Sequence, residues 1–142
     1  MAAPVNITFL GGLGEIGRNC ACIESEGKIV LIDCGIMFPD VDMPGIDLVL
    51  PDFTYLRENA DRIVGCIATH GHEDHVGGLS FLLRELKFPI YGSELTLGLA
   101  RHRIEQDSLV DRTDVRGGAD NERTQIGQFD CELLPVTQPV PY

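Results

Sequence analysis

The run Ile63-Val64-Gly65-Cys66-Ile67-Ala68, followed at once by Thr69-His70-Gly71-His72-Glu73-Asp74-His75, constrains this chain more than any other stretch. The first six residues are apolar with β-branched members, the mark of a buried strand, and Val76, Leu79, Leu82, Leu83 and Leu86 recur downstream at helical spacing. A loop carrying three of the four histidines therefore sits where a strand hands over to a helix, expected from about His75 to Leu86. Neutral imidazole and carboxylate are the donors a borderline cation such as zinc selects. Nothing in helix or strand packing rewards imidazoles at i, i+2 and i+5, so the spacing points to a metal. Such a loop can set His70 and His72 on one side of a cavity and Asp74 with His75 toward a second position close by. Two adjacent cations are the arrangement used to hydrolyse phosphodiesters and related bonds. His102 has no such company and reads as an ordinary helix residue.

The rest of the chain supplies a scaffold. Val5 to Leu10 reads as a first strand, and Asn19 to Glu24 with Lys28 to Asp33 as a hairpin turning at Ser25-Glu26-Gly27. Pro51 to Arg62 has room for a short helix, Pro89 to Tyr91 for a short strand, and Ser93 is a good N-cap for a helix running to near Asp107. Asp111 to Gln128 is polar and glycine-containing, a turn-rich connection with room for one edge strand before a last strand, Phe129 to Val136. At 142 residues with 44% hydrophobic content the expectation is one domain with a core. No apolar run approaches the roughly 18 to 20 residues that a membrane span needs, and Met1 to Asn6 lacks the basic and apolar segments of a secretion signal. Five cysteines without a Cys-x-x-Cys argue for a reducing compartment, so a cytoplasmic location is expected.

Gly12-Leu13-Gly14-Glu15-Ile16-Gly17 matches the dinucleotide-binding pattern G-x-G-x-x-G after a strand, with Asp33 at the end of a later strand. That fold needs a crossover helix of about ten or more residues between the two strands. Asn19 to Glu24 alternates like a strand and Gly27 sits where a hairpin turns, which leaves no room for the helix. The glycines are read instead as a tight loop near the metal cavity. Asp40, Asp42 and Asp47 are read as solvated turn formers.

The motif His-x-His-x-Asp-His after a strand resembles the central motif of the metallo-β-lactamase superfamily. Together with Gly11 to Asn19, Ile32-Asp33-Cys34-Gly35 and Gly45 to Phe53 it resembles the amino-terminal end of the ribonuclease J family, over nearly the whole chain. The resemblance implies an α/β (α+β) fold: the first half of an αββα metallo-β-lactamase sandwich, a mixed β-sheet with flanking helices. Residues 1–142 would then be a partial metallo-β-lactamase domain, without the β-CASP insertion and the remaining catalytic half. It implies zinc-dependent hydrolysis of RNA, 5′ to 3′ exonucleolytic and endonucleolytic, in RNA processing and decay, with two zinc ions (or manganese) held by His70, His72, Asp74 and His75. Asp74 would be catalytic as well, ligating one cation and helping to hold the attacking water. Asp33 matches an aspartate that lies beneath the metals and orients their ligands through hydrogen bonds. RNA and a homo-oligomer are the implied partners of the longer protein, with no membrane and no DNA.

Two observations limit what this chain does alone. Eleven basic against 22 acidic residues give a net charge of −11, so no Lys/Arg track for RNA is visible and the cationic surface must lie elsewhere in the longer protein. Where the family continues Thr-His-Ser, this sequence reads Thr137-Gln138-Pro139, and an amide oxygen is a poor substitute for imidazole. Two ligands then serve each cation where catalytic zinc sites normally offer three, so weak zinc binding and no appreciable nuclease activity are expected of this chain. Half a sandwich also leaves an apolar face open to association. A hydrolase of thioesters or small esters, and a non-catalytic interaction module, share the histidine loop and stay open at this point.

Overall fold

The computed structural model describes residues 3–106 and 113–136. Three strands open the chain: β1 (Asn6–Gly11), β2 (Cys20–Ser25) and β3 (Lys28–Ile32), paired antiparallel in that order. The β2–β3 turn is the two-residue Glu26-Gly27, with φ of 51° and 79°. Positive φ at both central positions is the turn whose twist matches a hairpin, and Gly27 meets it without a Cβ clash. Helix α1 (Thr54–Glu58) and a single 3₁₀ turn (Ala60–Arg62) lead into β4 (Ile63–Ile67), which lies parallel to β3.

Two short helices follow, α2 (Glu73–Val76) and α3 (Leu79–Leu83), then β5 (Ile90–Ser93), α4 (Glu94–Gln106) and β6 (Val115–Gly118). Strands β5 and β6 continue the parallel half, completing a six-stranded mixed sheet in the order β1-β2-β3-β4-β5-β6. The hairpin β7 (Arg123–Ile126) and β8 (Phe129–Glu132) forms a separate two-stranded sheet. The expected mixed sheet with flanking helices is what the chain forms. Ser93 acts as the expected cap, its Oγ accepting from the backbone N–H of Thr96 at 3.2 Å.

Three expectations are corrected. The single helix from His75 to Leu86 is two helices, because Gly78 presses against distant backbone: its N–H donates to the Cys34 carbonyl oxygen at 2.8 Å, and a Cβ there would lie 2.9 Å from the Gly35 carbonyl oxygen. The connection from Asp111 holds two strands, not one, and the last strand stops at Glu132 rather than Val136. Asp107 and Gln138 lie outside the described residues.

The sheet has two unlike faces. On one, Cys22, Leu31, Cys66 and Ile90 pack against Leu56 of α1, Leu79 and Leu82 of α3 and Leu97 of α4. On the other, Val30 and Tyr91 meet Ile126 and Phe129 of the β7–β8 hairpin. That hairpin stops short of β1, whose Ile7 and Phe9 stay 59% and 57% exposed. The parallel strands β3, β4 and β5 all end at the same edge, and their following loops gather there, the usual place for a ligand in such sheets.

Candidate metal centre

Asp33 follows the last residue of β3 with φ of 63°, a left-handed conformation that aspartate tolerates better than most residues. The twist turns its carboxylate under the loop that leaves β4. Its Oδ1 accepts from the Thr69 backbone N–H at 2.8 Å, and its Oδ2 accepts from the Thr69 hydroxyl at 2.7 Å and lies 2.7 Å from Nδ1 of His75. Asp33 is 4% exposed, so the carboxylate spends its lone pairs almost entirely on these partners.

Donor counting fixes the tautomers. A carboxylate only accepts, so His75 carries its proton on Nδ1 and presents Nε2 as a lone pair when neutral. The Thr69 hydroxyl has one hydrogen, which goes to Asp33; its 3.0 Å contact with Nδ1 of His70 therefore has the imidazole donating. Nε2 of His70 is thus also the basic nitrogen. One buried aspartate sets two rings with the same nitrogen available, the hydrogen-bond support that metal-bound histidines use.

The rings themselves converge. The centroid of His70 is 4.6 Å from that of His72 and 4.0 Å from that of His75. Asp74 Oδ2 lies 3.6 Å from Nε2 of His75. Burial pulls the His70 pKa down, and repulsion from His75 and His72 adds to this. For His75, burial acts downward too but is outweighed by the hydrogen bond and charge of Asp33 with the charge of Asp74, so its pKa is raised.

The short helix α2 that carries Asp74 and His75 is held sideways by backbone. Its carbonyls at Glu73, Asp74 and His75 accept from the N–H groups of Ile36, Asn19 and Cys34 at 3.0, 3.0 and 2.8 Å. Gly35 makes this possible, since a Cβ there would sit 1.6 Å from the Asp74 carbonyl oxygen. Glu73 turns away from the rings and pairs with Arg103 of α4 at 3.0 Å. His102 lies on α4 beside Gln106, at 3.1 Å between their side-chain nitrogens. A cavity of about 1060 Å³ opens beside the motif, with His72, Asp74, Phe38, Leu99 and Arg103 in its wall.

The donors suit a divalent metal in kind. Nε2 of His72 is buried without a hydrogen-bond partner; leaving such a group unsatisfied costs about 1–3 kcal/mol, which a bound cation would offset. Among the described residues, however, no three or more His, Cys, Asp or Glu side chains form a ready cage for one ion. The contacts of Thr69 with Asp33, Asn19 with His75 and Arg103 with Glu73 are not legible from sequence, for they span 30 to 56 residues, and no local spacing signals them. No helix among the described residues is long and apolar enough to cross a membrane.

A metallo-β-lactamase superfamily profile matches residues 13–140. The sequence is 43% identical over 138 residues to ribonuclease J of Synechocystis sp., covering 96% of this chain and 22% of that protein. It is 47% identical over 137 residues to ribonuclease J 1 of Streptococcus pyogenes, covering 96% and 24%, and 46% identical over 112 residues to ribonuclease J2 of Bacillus subtilis, covering 79% and 20%. The chain thus spans between 20% and 24% of the length of these relatives. Among solved structures, the metallo-β-lactamase fold protein YhfI of Bacillus subtilis superposes with a TM-score of 0.61 at 20% identity, over 94% of this chain and 54% of that one, a likeness of fold alone.

Proposed function

Because the chain belongs to the metallo-β-lactamase superfamily and is similar to ribonuclease J proteins along nearly all its length, we propose that it carries part of the catalytic centre of a metal-dependent ribonuclease. Residues 1–142 are then a partial metallo-β-lactamase domain acting within a longer cytoplasmic protein that binds RNA, assembles as a homo-oligomer, and cleaves in both 5′ to 3′ exonucleolytic and endonucleolytic modes. The observation that carries this is the convergence of three imidazoles and Asp74 over one buried aspartate, Asp33.

His70 and His72 would hold one divalent cation and Asp74 with His75 the other, zinc or manganese. When bound, two such ions activate water near neutral pH and neutralise charge building on a phosphate. Asp74 also accepts a hydrogen bond from the attacking water and so aims it. Asp33 keeps the Nδ1 proton of His75 in place and, through Thr69, that of His70, so both rings offer Nε2 without rearrangement. With two protein ligands per cation, the 142-residue chain should bind zinc weakly and leave a 5′-monophosphate RNA uncut. Calorimetric zinc titration alongside that cleavage assay tests this, with the longer polypeptide expected to bind two zinc ions and cut. Tight binding of two ions by the short chain would overturn the ligand assignment; a longer polypeptide that binds zinc but spares RNA would overturn the substrate.

A further inference from the structure

The glycine loop between β1 and β2 takes no part in the chemistry above, yet its last residue reaches the centre of the motif. Asn19 donates twice to the Asp74 carbonyl oxygen, from its backbone N–H at 3.0 Å and from side-chain Nδ2 at 2.9 Å. The same Nδ2 lies 3.5 Å from Asp74 Oδ2 and 3.4 Å from Nε2 of His75. It therefore faces the two atoms that would ligate a single cation, the carboxylate oxygen and the basic ring nitrogen. The carbonyl oxygen of Asn19 in turn accepts from Gly35 N–H at 3.0 Å, tying the loop to the segment that follows Asp33.

The surrounding loop is built to deliver this amide. Gly12, at φ of 85°, leaves space that a Cβ would close to 2.6 Å from Asn19 Oδ1. Glu15 Oε1 accepts from Gly12 N–H at 3.1 Å and from Arg18 Nε at 2.5 Å, while Arg18 reaches the Leu50 carbonyl oxygen at 3.3 Å. These contacts cross-link the loop and fix where Asn19 leaves it. The pattern that resembles a phosphate-binding glycine motif serves a different geometric end here.

We propose that Asn19 is a positioning residue for the cation held by Asp74 and His75: its carboxamide sets the separation of the two ligating groups before the ion arrives. This rests on the reading that Asp74 and His75 ligate a metal. The amide is the right group because it is neutral and donates. An aspartate of the same shape would turn an acceptor oxygen and a negative charge toward the Asp74 carboxylate, and alanine would leave the Asp74 carbonyl with the backbone N–H only.

Cobalt(II) alone, titrated into this chain and followed by its visible absorption, tests the proposal. Asn19→Asp and Asn19→Ala are each expected to weaken cobalt binding about tenfold or more, the usual effect of removing a group that supports metal ligands, and to change the visible band. Thermal unfolding of the metal-free variants controls for folding. A lowered unfolding temperature with the wild-type cobalt band and affinity retained by the folded fraction would mean a merely structural asparagine and overturn the proposal. So would equal cobalt affinity in all three proteins, absence of binding in all three included. RNA cleavage is not the readout. Asn19-dependent cobalt binding in a protein that never cuts RNA would keep this inference and remove the proposed substrate; cobalt binding indifferent to Asn19, with RNA cut by the longer polypeptide, would do the reverse.

Discussion

Asp33 decides how His75 titrates. Without it, burial would lower the His75 pKa as it lowers that of His70; the hydrogen bond and charge of Asp33, helped by Asp74, reverse the direction. A histidine whose folded pKa is raised contributes stability that is full below its unfolded value, about 6.5, and that fades as pH rises through the folded pKa. His70 does the opposite: kept neutral in the fold, it costs stability as pH falls below about 6.5. The two effects offset each other in the metal-free chain. Asp33→Asn removes the favourable one, so the variant should lose more stability between pH 8 and pH 5.5 than the wild type does, and the NMR titration midpoint of His75 should drop below that of the wild type. An unmoved His75 midpoint in Asp33→Asn would show that the carboxylate is not its controlling partner.

At the scale of elements, α2 stands on contacts rather than on length. A four-residue helix has no cooperative stability of its own, and the N–H groups of Asn19, Cys34 and Ile36 that hold its carbonyls substitute for the missing turns. Gly35→Ala would drive a methyl group into the Asp74 carbonyl and should destabilise by about 3 kcal/mol in urea unfolding. Gly98, in the middle of α4 with open space about it, should respond with the opposite sign. Gly98→Ala should stabilise by about 0.5–1 kcal/mol, since alanine is the better helix former. If Gly35→Ala unfolds no earlier than wild type, the lateral clamp on α2 is wrong. The same contrast explains what was legible in the sequence. The β2–β3 hairpin, the Ser93 cap and the strand preceding the histidines follow from local chemistry, and each was readable. The break at Gly77-Gly78 was not, because it is imposed by Cys34 and Gly35, more than 40 residues upstream. Asn19 closes the glycine motif, yet its partners lie 55 and 56 residues away. The second strand of the Asp111 to Gln128 connection, β7, is not legible because Arg123–Ile126 is mostly polar and has only Ile126 buried to mark it.

For the whole molecule, the asymmetry of the sheet is the dominant physical fact. Its helical face is closed by α1, α3 and α4, whereas the opposite face is covered by β7–β8 from β5 across to Ile23 of β2 and no further. Val5, Ile7 and Phe9 stand 58%, 59% and 57% exposed along one side of β1, where Ile7 pairs with Ile23 and Phe9 with Ala21. Strand β1 is also the sheet's edge, so unpaired backbone groups border an apolar strip, the combination that recruits another chain. The sandwich expected from the sequence requires a second sheet on this face, and the relatives are about four times as long as this chain, which matches only 20–24% of their length. Taken alone, the 142-residue chain should therefore self-associate through β1, with an apparent mass in sedimentation velocity that climbs with concentration. The double variant Ile7→Lys, Phe9→Lys should hold a monomer's mass across the same series, because two charges on adjacent same-face positions oppose both burial and edge pairing. It should leave His75 and its NMR titration unchanged, since β1 contributes no side chain to the cluster around Asp33. A wild-type chain that stays monomeric throughout would mean that this face is content in water, and the requirement for a covering sheet would fall with it.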